Sequence, residues 1–184
     1  MSAISAVLFD MGGVLLTKRR SYQTNATLDA IENIICSDFD SDRAKNKAIT
    51  ELKIDEVTFF SGVSEIPRKY EKDERLWGLL AVLKGKKRTA ILNNGASITL
   101  DSFDENFGIY GAVDVFMNSA LKGVAKPEPA FFLRACERLQ VFPHQCLFID
   151  DTKEHVVAAE QLGMRGFHWS GAEGEYQMLV EILE

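Results

Sequence analysis

The chain has no apolar run approaching the roughly 20 residues needed to span a bilayer, so a membrane-embedded protein is not expected. It also lacks a basic excess. Lys and Arg number 21 against 27 Asp and Glu, for a net charge of −6, and neither sign forms a long run. A nucleic-acid-binding surface normally shows as a basic patch, so that class of partner is excluded. Cysteine is scarce. Cys36, Cys136 and Cys146 form no CxxC or Cys/His zinc pattern, and the odd count argues against a disulfide framework. All three read as buried, reduced thiols of a cytoplasmic protein. The N-terminus has no basic segment and its apolar run stops at Asp10, which argues against a secretory signal. No internal repeat or low-complexity linker divides the 184 residues, which suit one compact domain or a core with a modest insertion.

Apolar residues make up 46% of the chain, enough for a real core, at a mean hydropathy of −0.07 typical of a soluble protein. From about residue 85 short apolar runs alternate with helical periodicity. Leu76, Leu79, Leu80 and Leu83 fall at i, i+3, i+4, i+7, with Gly85 as a stop. Thr89–Leu92 reads as a buried strand ending at Asn93-Asn94-Gly95, and Leu100, Phe103 and Phe107 stripe a helix ended by Gly108. A strand over Val113–Met117 precedes a helix with Pro129 in its first turn and a stripe of Phe132, Ala135, Cys136 and Leu139. Cys146–Ile149 reads as a strand ending at Asp150-Asp151. A helix lined by Val156, Ala159 and Leu162 follows, then a short strand at Gly166–Trp169 and a closing helix through Leu179. Such alternation predicts an α/β fold with a parallel sheet covered on both faces. Residues 16 to about 75 contain helical stretches, such as Leu28–Ile35 and Arg43–Leu52, but no convincing strand. The expected division is a core of residues 1–17 and 76–184, with residues 18–75 inserted as a helical cap after the first strand.

Three buried runs end in polar groups: Asp10, Asn93 and Asp150-Asp151. In a parallel sheet these ends share one edge, where ligands bind in open α/β folds. Lys126 lies between the third strand and its helix, on the same edge. Carboxylates, a lysine and an amide donor suit a hard cation together with an anion, and magnesium takes oxygen ligands while often keeping a phosphate oxygen.

The motifs Val7-Leu8-Phe9-Asp10-Met11-Gly12-Gly13-Val14, Ala90-Ile91-Leu92-Asn93-Asn94-Gly95, Lys126-Pro127-Glu128-Pro129-Ala130-Phe131 and Leu147-Phe148-Ile149-Asp150-Asp151 occur in this order. With Ala158–Met164 after them, they resemble the haloacid dehalogenase superfamily. The closest likeness is to the branch with a small helical cap that includes the phosphatase domain of soluble epoxide hydrolases. The resemblance implies a Rossmann-like core and a Mg2+-dependent phosphatase acting on a small phosphorylated metabolite. Asp10 would be the nucleophile, forming an aspartyl-phosphate. Lys126 would hold the nucleophile and the phosphoryl oxygens, with Asn93 and Asn94 as substrate-binding groups. Asp10, Asp150, Asp151 and the Gly12 carbonyl would be the metal ligands.

Gly12 departs from that pattern, because the family's phosphatases carry an acid–base aspartate there. Such a group contributes typically about 10²–10⁴-fold. Three consequences stay open: a phosphatase with a substitute proton source, a catalytically weak protein that binds a phosphometabolite or a protein partner, and a dehalogenase- or phosphonatase-like hydrolase. The phosphonatase route would need a cap lysine, for which Lys45, Lys47 and Lys53 are candidates. Asn93 stands where the family has Ser or Thr, and His155 replaces an expected asparagine. His144, His155 and His168 show no metal-ligand spacing and read as non-catalytic. Arg19, Arg20, Tyr22, Phe59 and Phe60 either reach the pocket from the cap or are ordinary solvated and core residues. Substrate identity and oligomeric state are not legible.

Overall fold

Val7 and Phe9 face one side of the first strand and Ala6 and Leu8 the other, and all four are fully buried. A strand buried on both faces belongs inside a sheet covered on both sides. In the computed structural model, which describes residues 3–38 and 40–184, this strand is the centre of a five-stranded parallel sheet.

In chain order, β1 (Ala6–Phe9) is followed by β2 (Leu16–Lys18) and three helices, α1 (Ala26–Ser37), α2 (Ser41–Leu52) and α3 (Glu56–Glu65). Then come β3 (Tyr70–Lys72), α4 (Glu74–Leu83), β4 (Arg88–Asn93), α5 (Leu100–Phe107), α6 (Ile109–Ala112) and β5 (Val115–Asn118). The chain closes with α7 (Ser119–Lys122), α8 (Pro129–Leu139), β6 (Cys146–Asp150), α9 (Lys153–Gln161), β7 (Arg165–His168) and α10 (Glu175–Leu183). The large sheet runs β5-β4-β1-β6-β7. β1 pairs with β4 and β6 in the register Phe9↔Ile91 and Phe9↔Ile149. One face packs on α4, α5 and α10 through Leu76, Leu80, Phe103 and Leu179; the other packs on α8 and α9 through Phe131, Phe132, Leu139 and Ala159.

Local signals explain the helix ends. The Asp73 carboxylate accepts from the N–H groups of Arg75 and Leu76 at 3.0 and 3.3 Å, starting α4. Pro129 opens α8, and Gly108, at φ +68°, closes α5 in the left-handed region. The third core strand begins at Val115 rather than Val113, and just before it Asp114 exchanges hydrogen bonds with Thr89, its Oδ2 taking the Thr89 N–H at 2.8 Å.

The expectation of no strand between residues 16 and 75 is corrected: β2 and β3 form an antiparallel pair, Leu16↔Lys72 to Lys18↔Tyr70. Each strand has three residues, too few to show alternation, and their partnership is decided by tertiary contact. Trp77 Nε1 and the Asp73 N–H both donate to the Leu15 carbonyl, at 2.8 and 3.0 Å, bracing this ladder against α4. Cysteine placement needs one correction. Cys136 and Cys146 are buried and free, with sulfurs 3.8 Å apart, whereas Cys36 is exposed near the end of α1. No described helix is long and apolar enough to cross a membrane.

Candidate active site

β1, β4 and β6 run parallel, so their carboxyl ends deliver Asp10, Asn93 and Asp150 to one edge. The Asp10 N–H donates to the Ile149 carbonyl at 2.8 Å, extending the β1–β6 ladder to the site. The Met11 N–H turns back onto Asp10 Oδ1 at 2.7 Å. Lys126, from the loop before α8, enters this edge with its side chain only 1% exposed. Its Nζ donates to Asp10 Oδ1 at 2.7 Å and to Asp150 Oδ2 at 2.8 Å. Oxygens of Asp10, Asp150 and Asp151 lie within 4.8 Å of one another.

The two buried carboxyls differ in character. Burial raises Asp10 to about 6; Lys126 pulls against this, and the nearby Asp150 charge adds to it. Burial acts on Asp150 in the same sense, but hydrogen bonds from His155, Lys126 and the Thr152 N–H outweigh it and hold that carboxyl below its usual range. Asp151 is exposed and packs against Gly13: a Cβ built there would lie 2.0 Å from Asp151 Oδ2. Gly13 also has φ +83°, a conformation glycine adopts freely. Gly12 differs from its neighbour, since a Cβ there meets no atom within 4 Å.

Asn94 does not present a free amide. Its Nδ2 donates to the Lys126 carbonyl at 2.8 Å and its Oδ1 accepts the Lys126 N–H at 3.0 Å, a reciprocal clamp on the lysine's main chain. Asn93 is buried at the end of β4, and beside it the Gly95 N–H donates to Ser119 Oγ at 3.1 Å.

A cavity of about 130 Å³ adjoins this edge. Met11, Gly12, Asn93 and Asn94 line it from below, and Glu32, Ile35, Cys36 and Tyr70 from above. The residues considered from the sequence for the upper wall lie elsewhere. Arg19 pairs with Glu71 at 3.8 Å and Tyr22 donates to Asp29 at 3.4 Å. Arg20 is exposed, Phe59 is fully buried, and Phe60 is exposed with Lys45 over its ring. Glu32 and Tyr70 escaped the sequence because nothing local links them. Tyr70 Oη donates to Glu32 Oε1 at 2.6 Å, and Lys69, itself 1% exposed, pairs with Glu32 and Asp29. His155 was also missed; its Nδ1 lies 3.1 and 3.2 Å from the two Asp150 oxygens, and position i+5 in the next helix was the available signal. His168 Nε2 lies 2.9 Å from the Asp151 carbonyl.

A doubly covered parallel sheet with an acidic, lysine-bearing carboxyl edge defines a Rossmann-like enzyme. The chain belongs to the haloacid dehalogenase-like hydrolases, whose family profile matches residues 62–163. It is 27% identical to a sesquiterpene phosphatase of Aspergillus oryzae, covering 91% of this chain and 90% of that protein. It is 28% identical to a phosphatase of Mycobacterium tuberculosis, covering 90% of this chain and 87% of that one. A haloacid dehalogenase-family enzyme from Bacteroides thetaiotaomicron, solved with magnesium and inorganic phosphate, shares the fold. It superposes with a TM-score of 0.74 at 18% identity, over 95% of this chain and 99% of that one.

Proposed function

We propose that this hydrolase is a magnesium-dependent phosphatase acting on a small phosphorylated molecule through an aspartyl-phosphate on Asp10. The observation that carries the reading is the buried Lys126 ammonium held between Asp10 and Asp150, with Asp151 in reach. Three carboxylates and one ammonium leave a charge deficit that one divalent cation would balance, and an all-oxygen donor set suits a hard ion. Asp10, Asp150, Asp151 and the Gly12 carbonyl would hold magnesium, which would neutralise phosphoryl oxygens as they approach the carboxylates.

The protein groups then divide the work. Asp10 supplies the attacking oxygen, fixed by the Met11 N–H and by Lys126. Lys126 spreads positive charge over the nucleophile and the incoming phosphoryl group. Asn94 keeps the lysine in place through its main chain. Asn93, in the cavity wall, supplies an amide donor to a phosphoryl oxygen. Residues 18–75 act as the cap, closing over residues 1–17 and 76–184. Free cysteines accord with a cytoplasmic location. A Schiff-base route is less well supported: Lys45 pairs with Glu56, Lys47 and Lys53 are exposed, and none lines the cavity. Two phosphatase relatives support phosphoryl transfer over dehalogenation.

Magnesium-dependent phosphate release from a panel of monoesters, with Asp10→Asn as control, tests this reading. Activity is expected for the parent alone. Equal release by both proteins would remove Asp10 from the chemistry and overturn the aspartyl-phosphate reading. Titration of magnesium into the parent and Asp151→Ala should give different isotherms, and superimposable ones would take Asp151 out of the metal site.

A further inference from the structure

When a phosphorus–oxygen ester bond breaks, the electron pair stays on the leaving oxygen. An alkoxide is too basic to depart well unless a proton reaches it, whereas a phenoxide or enolate leaves unaided. The cavity walls therefore bear on which esters can react. Gly12 contributes no side chain, and the space beside it is open rather than filled by a neighbour. The titratable side chains lining the cavity are Glu32, Cys36 and Tyr70. Glu32 accepts from Tyr70 on one oxygen and from Lys69 on the other. Tyr70 spends its one O–H on Glu32, and burial together with that carboxylate pushes its pKa well up. Desolvation, then Glu32, raises the Cys36 thiol. Of the three titratable side chains described in this lining, only Cys36 holds a proton not already committed to a neighbour, and a thiol raised above its usual range gives that proton up poorly.

Size and polarity narrow the class further. The volume of about 130 Å³ approaches the roughly 150 Å³ cavity known to hold benzene. Leu16, Ile35, Ile66, Ala96 and Phe103 make the lining largely apolar, no Lys or Arg among the described residues lines it, and Glu32 opposes a second anionic group.

We propose that the chain hydrolyses phosphate monoesters whose leaving group departs as a stable anion on a neutral, apolar body of about one ring: aryl or neutral enol phosphates. This rests on the phosphatase reading and names its substrate class. An Asp10 oxygen bonds to phosphorus as the bond to the leaving oxygen breaks. The aryloxide keeps the electron pair and takes its proton from solvent. Water then attacks phosphorus, the bond to Asp10 breaks, and the proton lost by water passes to the released phosphate or to solvent.

The test is kcat/KM, which reports steps up to formation of the aspartyl-phosphate, for the full chain with magnesium. The series is ring-substituted phenyl phosphates, benzyl and cyclohexyl phosphates of similar size, and naphthyl phosphate. The parent is expected to favour phenyl over benzyl phosphate by at least about 10²-fold, the lower end of general-acid help. Gly12→Asp should shrink that gap at least tenfold, and Gly12→Asn, of equal size but without a titratable proton, should leave it. Naphthyl phosphate should react at least tenfold more slowly than phenyl phosphate despite its better leaving group. Phenyl and benzyl phosphates within about threefold of each other in the parent would overturn the inference while the phosphatase reading stood. No phosphate from any ester would remove both.

Discussion

A Cβ added at Gly13 would strike the Asp151 carboxylate, while one added at Gly12 would meet open space. The two adjacent glycines should therefore respond in opposite ways. Gly12→Ala should keep or gain stability, by up to about 1 kcal/mol, because it restricts the unfolded chain. Gly13→Ala should lose about 1–2 kcal/mol from its left-handed backbone and weaken magnesium binding at least tenfold, in the range seen when a ligand's support is lost. Urea melts and calorimetric titration would check both, and equal behaviour would show that Asp151 moves aside freely. Asp10 carries a pH signature. Its folded-state pKa of about 6 lies above the ordinary 3.8, so the stability it lends is fully present below pH 3.8 and is lost as pH rises through 6. In chelator, Asp10→Asn should be more stable than the parent at pH 8, by about 1–3 kcal/mol, with the advantage shrinking below pH 6 and gone near pH 4. A gain independent of pH would place the cost elsewhere. Asp10, Asn93 and Asp150 were legible because each ends an apolar run. The Asn94 clamp and the His155 contact were not, since both depend on which groups a fold brings together.

At the scale of elements, the stripes of α4 and α8 were readable because four or more turn-spaced apolar residues leave no other solution. The β2–β3 ladder was not, being two three-residue strands of mostly polar composition. What ties α1 to this ladder is the cluster of Lys69, Asp29, Glu32 and Tyr70. Lys69 is almost wholly buried, and removing one partner of a buried pair typically costs about 3–5 kcal/mol. Lys69→Met should therefore destabilise the protein by about that amount in chemical denaturation, and adding Glu32→Gln should recover part of it. A loss below about 1 kcal/mol would show that apolar packing alone seats α1.

Across the whole molecule, one apolar cluster runs from Ile31, Ile35 and Phe59 of α1 and α3 to Val7, Phe9 and Ile149 of the sheet. The helices of residues 18–75 and the five-stranded sheet should consequently unfold in a single calorimetric transition. Magnesium with phosphate, at a hundred times its dissociation constant, should add about 2.7 kcal/mol and raise Tm by roughly 5–10 °C. Two resolved transitions would mean that residues 18–75 fold independently. The sheet order carries a consequence for synthesis on the ribosome. β1 sits at the centre, yet its neighbours begin only at Arg88 and Cys146. Translation makes this doubly apolar strand before either neighbour and completes α1, α2 and α3 while the strand has no partner. Long-range parallel pairing of this kind is slow to form and exposed to aggregation meanwhile. Translation halted before Cys146 would leave the sheet's carboxyl edge without Asp150 and Asp151, and without the strand that flanks β1 on one side. The central strand therefore ties completion of this carboxylate edge to a segment made long after it.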